Sequence, residues 1–436
     1  MNTLTGWAML IVVAGLLSQA SADAGAPSAA PASQGGAFEL VCVDDEATAF
    51  GTFQSHNQKV VVNQHGIFMT YIRSRNESYT AQTWRLMRST DGGKTFSVIH
   101  EDTHATNPPV LETDEAGNIY LVRVDFEDGH AYLYRFLAAS DFGAPHMTVI
   151  PGGAAGKYAM RYDPTRKQLY FFSHNSTFHV VGLDGKVRKR VQLLEPGEHA
   201  SLQYPLLDLD PDGTLHAAWT TQKNGVYMYW DIHHMLSRDG GVTWQNLDGA
   251  GLDLPVIADD TGPATRITWD DEFEFHTWLA SFRVKRGKLH FVYLAQRTPR
   301  RQHYMRYDIA SAQRDRDLQP TFIGETTKLY GLDGFFAARS DQPDGPLYCV
   351  MQDGGHLACL VSRDNGETWQ DYARSERKFE SYAIGGFREI TDDGYIAGSF
   401  TERDGNHVYF FRIPADGGDD RTRPRDAAAD GDKPRR

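Results

Sequence analysis

His56, Arg73, His174, Tyr204 and His276 together carry what chemistry on an acidic sugar requires. A guanidinium can grip a carboxylate in bidentate fashion, and imidazoles and a phenol can act as general base and acid near neutral pH. Asn57, Asn107, Arg123, Gln203, Gln296, Arg297, Asp333 and Tyr382 add amides, further guanidiniums, a carboxylate and a second phenol, groups suited to sugar hydroxyls. Each alone has a plain structural reading. A histidine at a strand end commonly caps a backbone carbonyl, and Glu77 and Asp125 are simple ion-pair partners for Arg73 and Arg123. Only convergence on one concave pocket would lift the set above that, so the question becomes what positions them.

The positioning elements recur. An apolar run, a tight polar turn and a second apolar run appear seven times: VVVNQHGIFMTYI, VLETDEAGNIYLVRV, MRYDPTRKQLYFF, LLDLDPDGTLHAAW, SFRVKRGKLHFVYL, ARSDQPDGPLYCVM and FREITDDGYIAGSF. The turns fall near His65, Ala116, Thr165, Asp212, Arg286, Asp344 and Asp393, a period of about 50 residues, apart from one longer gap before Arg286, that suits four-stranded propeller blades. A third strand follows each hairpin, as in QTWRLMRS and HVYFFRI. The pattern predicts an all-β, seven-bladed β-propeller of antiparallel blades, with six blades as the alternative. The last blade runs out of chain after three strands, and Phe38 to Asp44 (FELVCVD) is expected to supply its outer strand, so that no open edge remains. In such a ring the starts of the first strands and the ends of the second strands share one face, while the first turns lie on the other. Every residue singled out above falls in one of the two registers of the first face.

One octet appears three times: Ser89 to Phe96, Ser237 to Trp244 and Ser362 to Trp369, each reading Ser-x-Asp-x-Gly-x-Thr-aromatic. Asp91, Asp239 and Asp364 can accept backbone N–H groups of a tight turn, glycine supplies the positive φ, and the aromatic is expected to fold back onto its hairpin. The octet resembles the Asp-box, or bacterial-neuraminidase repeat, of propellers in the sialidase-like superfamily, where it closes the hairpin between third and fourth strands away from the ligand and is structural. Sialidases of that superfamily use an arginine triad, an aspartic acid and a Tyr/Glu nucleophile pair. Phe411-Arg412-Ile413-Pro414 matches their Phe-Arg-Ile-Pro string, but it ends the last blade's third strand, on the wrong face. A second branch looks closer: the seven-bladed, repeat-containing propellers that include ulvan-type polysaccharide lyases and some rhamnosidases. The similar features are Asn107-Pro108 leading into an acidic turn and Ile119-Tyr120, and Tyr204-Pro205 opening the blade that ends in Trp244. The resemblance implies proton abstraction α to a uronate carboxylate by His and Tyr, with an arginine neutralising the carboxylate. The His-Asn-His cluster of ulvan lyases is not present, and His56-Asn57 is its nearest echo. Two classes stay open. One is a carbohydrate-active enzyme acting on an acidic glycan, as a lyase or as a glycosidase of exo-sialidase type. The other is a non-catalytic glycan-binding propeller using Tyr204, His276, Tyr382 and Arg73.

Composition narrows the partners. Of 436 residues, 44 are Lys or Arg and 57 are Asp or Glu, a net charge of −13 that argues against a nucleic-acid surface. An anionic ligand therefore needs locally clustered cations. The apolar run from Ala8 to Leu17, followed by Ala20-Ser21-Ala22, reads as an export signal cleaved after Ala22, and it is too short to span a bilayer. The protein is expected to be periplasmic or extracellular and monomeric. Residues 23–36, rich in Ala, Ser, Pro and Gly, and 415–436, rich in Asp, Arg, Pro and Gly with no apolar periodicity, read as disordered flanks of one propeller domain over 37–414. The long connection from Ala258 to Phe275, rich in acids, reads as a funnel rim or lid. It lacks the regular ligand spacing of a calcium loop, so calcium is conceivable and unassigned, and no other cofactor is implied. The three cysteines fit no zinc pattern. Cys349 and Cys359 flank one hairpin and are candidates for a disulfide in an exported chain, which leaves Cys42 as a buried small hydrophobe.

Overall fold

The computed structural model describes residues 36–54, 57–74, 82–153, 156–173, 176–225, 229–258, 265–268, 277–295, 301–318 and 334–416. The expected leader, most of the two flanks and most of the 258–275 connection lie outside them. No helix among the described residues is long and apolar enough to cross a membrane.

Seven antiparallel sheets follow one another around a ring. Their innermost strands are Val60–Asn63, Val110–Thr113, Tyr158–Asp163, Ala200–Leu209, Thr277–Lys285, Gly334–Ala338 and Ser381–Gly386, and each contacts the next, the last returning to the first. These strands and their immediate neighbours are packed on both faces, which is why the sequence reads there as near-continuous apolar runs; Ile119–Asp125 is buried along its whole length. Outer strands alternate instead, as Val187–Gln192 does between half-buried and exposed positions. The fourth blade departs from four strands. Its outer element is split into Trp244–Gln245 and Gly251–Leu252, giving five. The only helix among the described residues is the single 3-10 turn Ala138–Ser140.

The ring closes as the sequence predicts. Glu39–Asp44 runs antiparallel to His407–Pro414, with Glu39 opposite Arg412 and Val41 opposite Phe410, and completes the seventh blade from the N-terminal side. Asp44, buried, then ties that strand to the first blade: it accepts the Tyr71 hydroxyl at 2.7 Å and pairs with Arg73 at 2.9 Å and Arg85 at 3.1 Å.

The octets close their turns through the aspartate. In the first, Asp91 accepts N–H groups of Lys94 and Thr95 at 3.0 Å and the Thr95 hydroxyl at 2.6 Å, while Gly93 N–H donates to Ser89 Oγ. Asp239 and Asp364 repeat the pattern. Burial of Asp239 opposes its ionisation, yet the Thr243 hydroxyl and backbone hold its carboxyl down to about 2. The aromatic joins its own blade's core, as Trp369 does beside Phe336 and Trp244 in the cluster of Met235 and Trp219, and it also reaches a neighbouring blade. Phe96 packs on Phe410, Trp244 on Phe178 and Trp369 on Tyr304, each on the preceding blade, at 5.2, 5.5 and 5.1 Å between ring centroids.

The expected disulfide is absent. Cys349 stands opposite Leu360 and Cys359 opposite Val350, so in the two-residue period of a strand the thiols point to opposite faces of the sheet, and they enter different core clusters. Cys42 is exposed rather than buried, because it lies on the outermost strand.

Candidate functional site

Of the residues singled out in the sequence, His56, His174, His276, Gln296, Arg297 and Asp333 lie outside the described residues, as does the side chain of Tyr382. The others divide into three groups.

Gln203, Tyr204, Asn57 and Asn107 come together around a residue that the sequence singled out only as part of a strand start, Lys157. The fourth blade's first strand shifts register between Gln203 and Leu206, a break that contains Pro205, which has no N–H to give to the ladder. Tyr204 within this bulge adopts φ +46°, a left-handed conformation that costs a bulky residue about 1–2 kcal/mol. The bulge re-aims two consecutive side chains at one neighbour, where a regular strand would send them to opposite faces. Gln203 Oε1 accepts a hydrogen bond from the Lys157 ammonium, and that ammonium sits 4.5 Å from the centre of the Tyr204 ring and 5.8 Å from that of Tyr229. Trp278 completes the aromatic wall, 5.2 Å from Tyr204 and 4.7 Å from Tyr229.

Asn57 and Asn107 act from the first and second blades. The Asn57 amide donates to the Tyr158 carbonyl and the Asn107 amide to the Gly156 carbonyl, so the backbone is pinned on both sides of Lys157. Gln54 donates to the same Gly156 carbonyl, and the buried Lys59 donates to the carbonyls of Gln54 and Asn57. Lys157 and its flanking backbone are thus held by side chains of three other blades, with Trp278 of a fourth backing the tyrosines. Desolvation pushes its ammonium down to about 7, and no described carboxylate pairs with it. A half-buried cation over aromatic faces is a receptor for an anion that arrives with a flat sugar ring.

Arg123 forms a second group. Its Nε donates to Tyr134 at 3.0 Å and its Nη1 to the His104 carbonyl at 2.7 Å, and it lies 4.1 Å from the Tyr132 ring centre. Beside it, His104, Asp125 and Glu127 bring ligand atoms within 4.8 Å of one another, the one such group among the described residues that could hold a metal ion. The guanidinium, however, lies 3.6 Å from Asp125 Oδ2, the oxygen that also faces His104, and already neutralises the only buried carboxylate of the three. That disfavours a cation.

Arg73 stands apart: its guanidinium is taken by Asp44 and Glu46 at the seam between the first and seventh blades. Arg412 pairs with Glu39 at 2.7 Å and lies against Gly92 of the first octet, on the turn face. What sequence reasoning passed over is Lys157, with Tyr229 and Trp278. Gly156-Lys157-Tyr158 does open a first strand, but a lone lysine there reads like any solvated one.

A seven-bladed β-propeller whose first-strand starts gather a lysine, amides and aromatic rings is the class that fold and site define. The chain belongs to the BNR repeat-containing family, whose model matches residues 54–312. Among solved structures it is similar to an ulvan lyase of polysaccharide lyase family PL25 bound to -[GlcA(1-4)Rha3S]-, with TM-score 0.60 and 12% identity over 85% of this chain and 95% of that one. It is also similar to the polysaccharide lyase Uly1, with TM-score 0.58 and 11% identity over 86% of this chain and 99% of that one. At such identities the likeness is one of fold. No curated protein matches the sequence significantly.

Proposed function

We propose that this protein is an exported carbohydrate-active propeller that binds an acidic polysaccharide at the Lys157 site and cleaves it by β-elimination at a uronate. The observation that carries the reading is a lysine with no carboxylate partner among the described residues, set against Tyr204, Tyr229 and Trp278. Glycoside hydrolysis ordinarily needs two carboxylates flanking the scissile bond, whereas elimination needs a positive group at the uronate carboxylate, a base and an acid. Lys157 supplies the first and the Tyr204 phenol the acid. For the base the reading keeps His56, His174 and His276, which adjoin Asn57, Ser173 and Thr277 in sequence. Arg123, Gln203, Gln296, Arg297, Asp333 and Tyr382 are proposed to border the sugar path. Both similar solved structures are polysaccharide lyases, which agrees with the reading without deciding it.

The test is a panel of acidic polysaccharides followed for new ultraviolet absorbance from unsaturated uronate and for reducing ends, with binding measured in parallel. The expected result is both signals on a uronate-containing polymer, and a fall of about a hundredfold or more in turnover for Tyr204→Phe. Reducing ends without absorbance would mean hydrolysis, and binding without either would leave a lectin-like propeller.

A further inference from the structure

At the opposite end of the propeller axis, on the face of the first turns, the inner strand ends enclose a cavity of about 380 Å3. That is within the size range of small-molecule sites. Among the groups that line it are the guanidiniums of Arg161, Arg283 and Arg388 and the carboxylates of Glu112 and Glu389, and Asp208 lies against Arg161 and Arg283. They do not pair evenly. Arg388 takes Glu112 at 2.6 Å and Arg283 takes Glu389 at 2.8 Å. Asp208, fully buried, accepts the Val284 N–H at 2.8 Å and lies 3.4 Å from Arg283.

Arg161 is left with remnants: Asp208 at 3.3 Å and Glu112 at 3.9 Å. None of its N–H groups, the buried Nε included, makes a hydrogen bond among the described residues. Its side chain is only 15% exposed. A guanidinium presents five donors in a rigid fork and is suited to two parallel bonds to one oxyanion. Desolvation and the neighbouring Arg388 charge both press against the Arg161 cation, and an anion between the two would relieve them. Acids at the mouth are already engaged: Glu115 by Lys167 and Tyr162, Asp163 by Arg166, and Asp210 by His216.

We propose that this cavity is a second ligand site, distinct from the Lys157 face, in which Arg161 binds the carboxylate or sulfate of a small molecule with a bidentate contact. The Arg161–Arg388 pair sets the preference for an anion, and the cavity volume limits the ligand to about the size of a sugar acid.

Calorimetric titration of the full chain with glucuronate, and separately with inorganic sulfate, tests it and tells the two oxyanions apart. Saturable binding of at least one is expected, weakened about tenfold or more by Arg161→Gln and tightened by Glu112→Gln, which removes the acid that competes for both guanidiniums. Lys157→Met, on the other face, should leave the Arg161-dependent component of this binding unchanged. Binding lost in Lys157→Met but kept in Arg161→Gln would assign the anion to the opposite face and overturn the proposal, as would no binding of either anion. If Arg161→Gln does not fold, Glu112→Gln decides, and an unaltered affinity there overturns it.

Discussion

At the scale of residues, Lys157 and Arg123 show how one face sorts its cations. Arg123 is committed to Tyr134, the His104 carbonyl and Asp125, and so stabilises the seam of two blades. Lys157 has an amide, aromatic faces and, among the described residues, no carboxylate, and burial draws its ammonium from 10.5 down to about 7. The linkage sign follows from that direction. Between about 7 and 10.5 the unfolded chain binds the proton that the folded chain gives up, so this residue costs stability most below about 7 and its cost fades as the pH rises towards 10.5. Lys157→Met should therefore raise the unfolding temperature at pH 6, a stability gain where function demanded strain. In the same variant KM for an acidic polymer should rise about tenfold or more. The wild type should lose affinity as the pH climbs through about 7, whereas Lys157→Arg should bind with little change over that range. A pH-independent KM in the wild type would remove the ammonium from recognition. The sequence could not rank these cations. It puts Lys157, Arg123 and Arg73 at equivalent strand ends, and only the neighbours brought by other blades distinguish a seam from a receptor.

At the scale of elements, the octets and the bulges were unequally legible. The octet announces itself because its chemistry is local: Asp91, Asp239 and Asp364 satisfy the backbone of their own turns within four residues. Its second role, gripping the preceding blade through Phe96, Trp244 and Trp369, is long-range, and no local pattern records the partner. The glycine at the fifth octet position serves both roles. Gly241 has φ +87°, and a Cβ there would lie 2.5 Å from the Phe178 ring. Gly241→Ala should thus cost about 2–4 kcal/mol through backbone strain and overpacking together, read as a shift in the denaturant midpoint. Gly249→Ala, at a positive φ with open space around it, should show the backbone part alone. Equal losses at the two positions would mean that the packing against the neighbouring blade contributes nothing. The bulges leave fainter traces. Pro205 hints at the one that turns Tyr204, but those at Leu279/Ser281 and Tyr382/Gly385 carry no proline.

At the scale of the molecule, the number of blades and the manner of closure were readable because both are matters of counting: seven hairpins about 50 residues apart with one longer gap before Arg286, and a last blade one strand short. The cysteine pairing was not, because a hairpin register one residue away turns facing thiols into opposed ones, and sequence spacing does not fix that register. Closure also explains Arg73. A guanidinium that the register argument assigns to the ligand face is held instead by Asp44, where the N-terminal strand meets the first blade. That junction is the one place in the ring where continuity depends on strand pairing between distant parts of the chain. Phe38, Leu40 and Val43 pack there, each half-buried. Removing residues 36–44 forfeits that burial, about 2–4 kcal/mol, together with the Asp44 pairs. It also leaves His407–Pro414 as an open edge able to recruit another chain. The truncated protein should unfold at lower denaturant in one transition, since no blade is stable without its neighbours, and should form larger species on size-exclusion chromatography. A variant that stays monodisperse with an unaltered midpoint would show that the ring holds without its N-terminal strand.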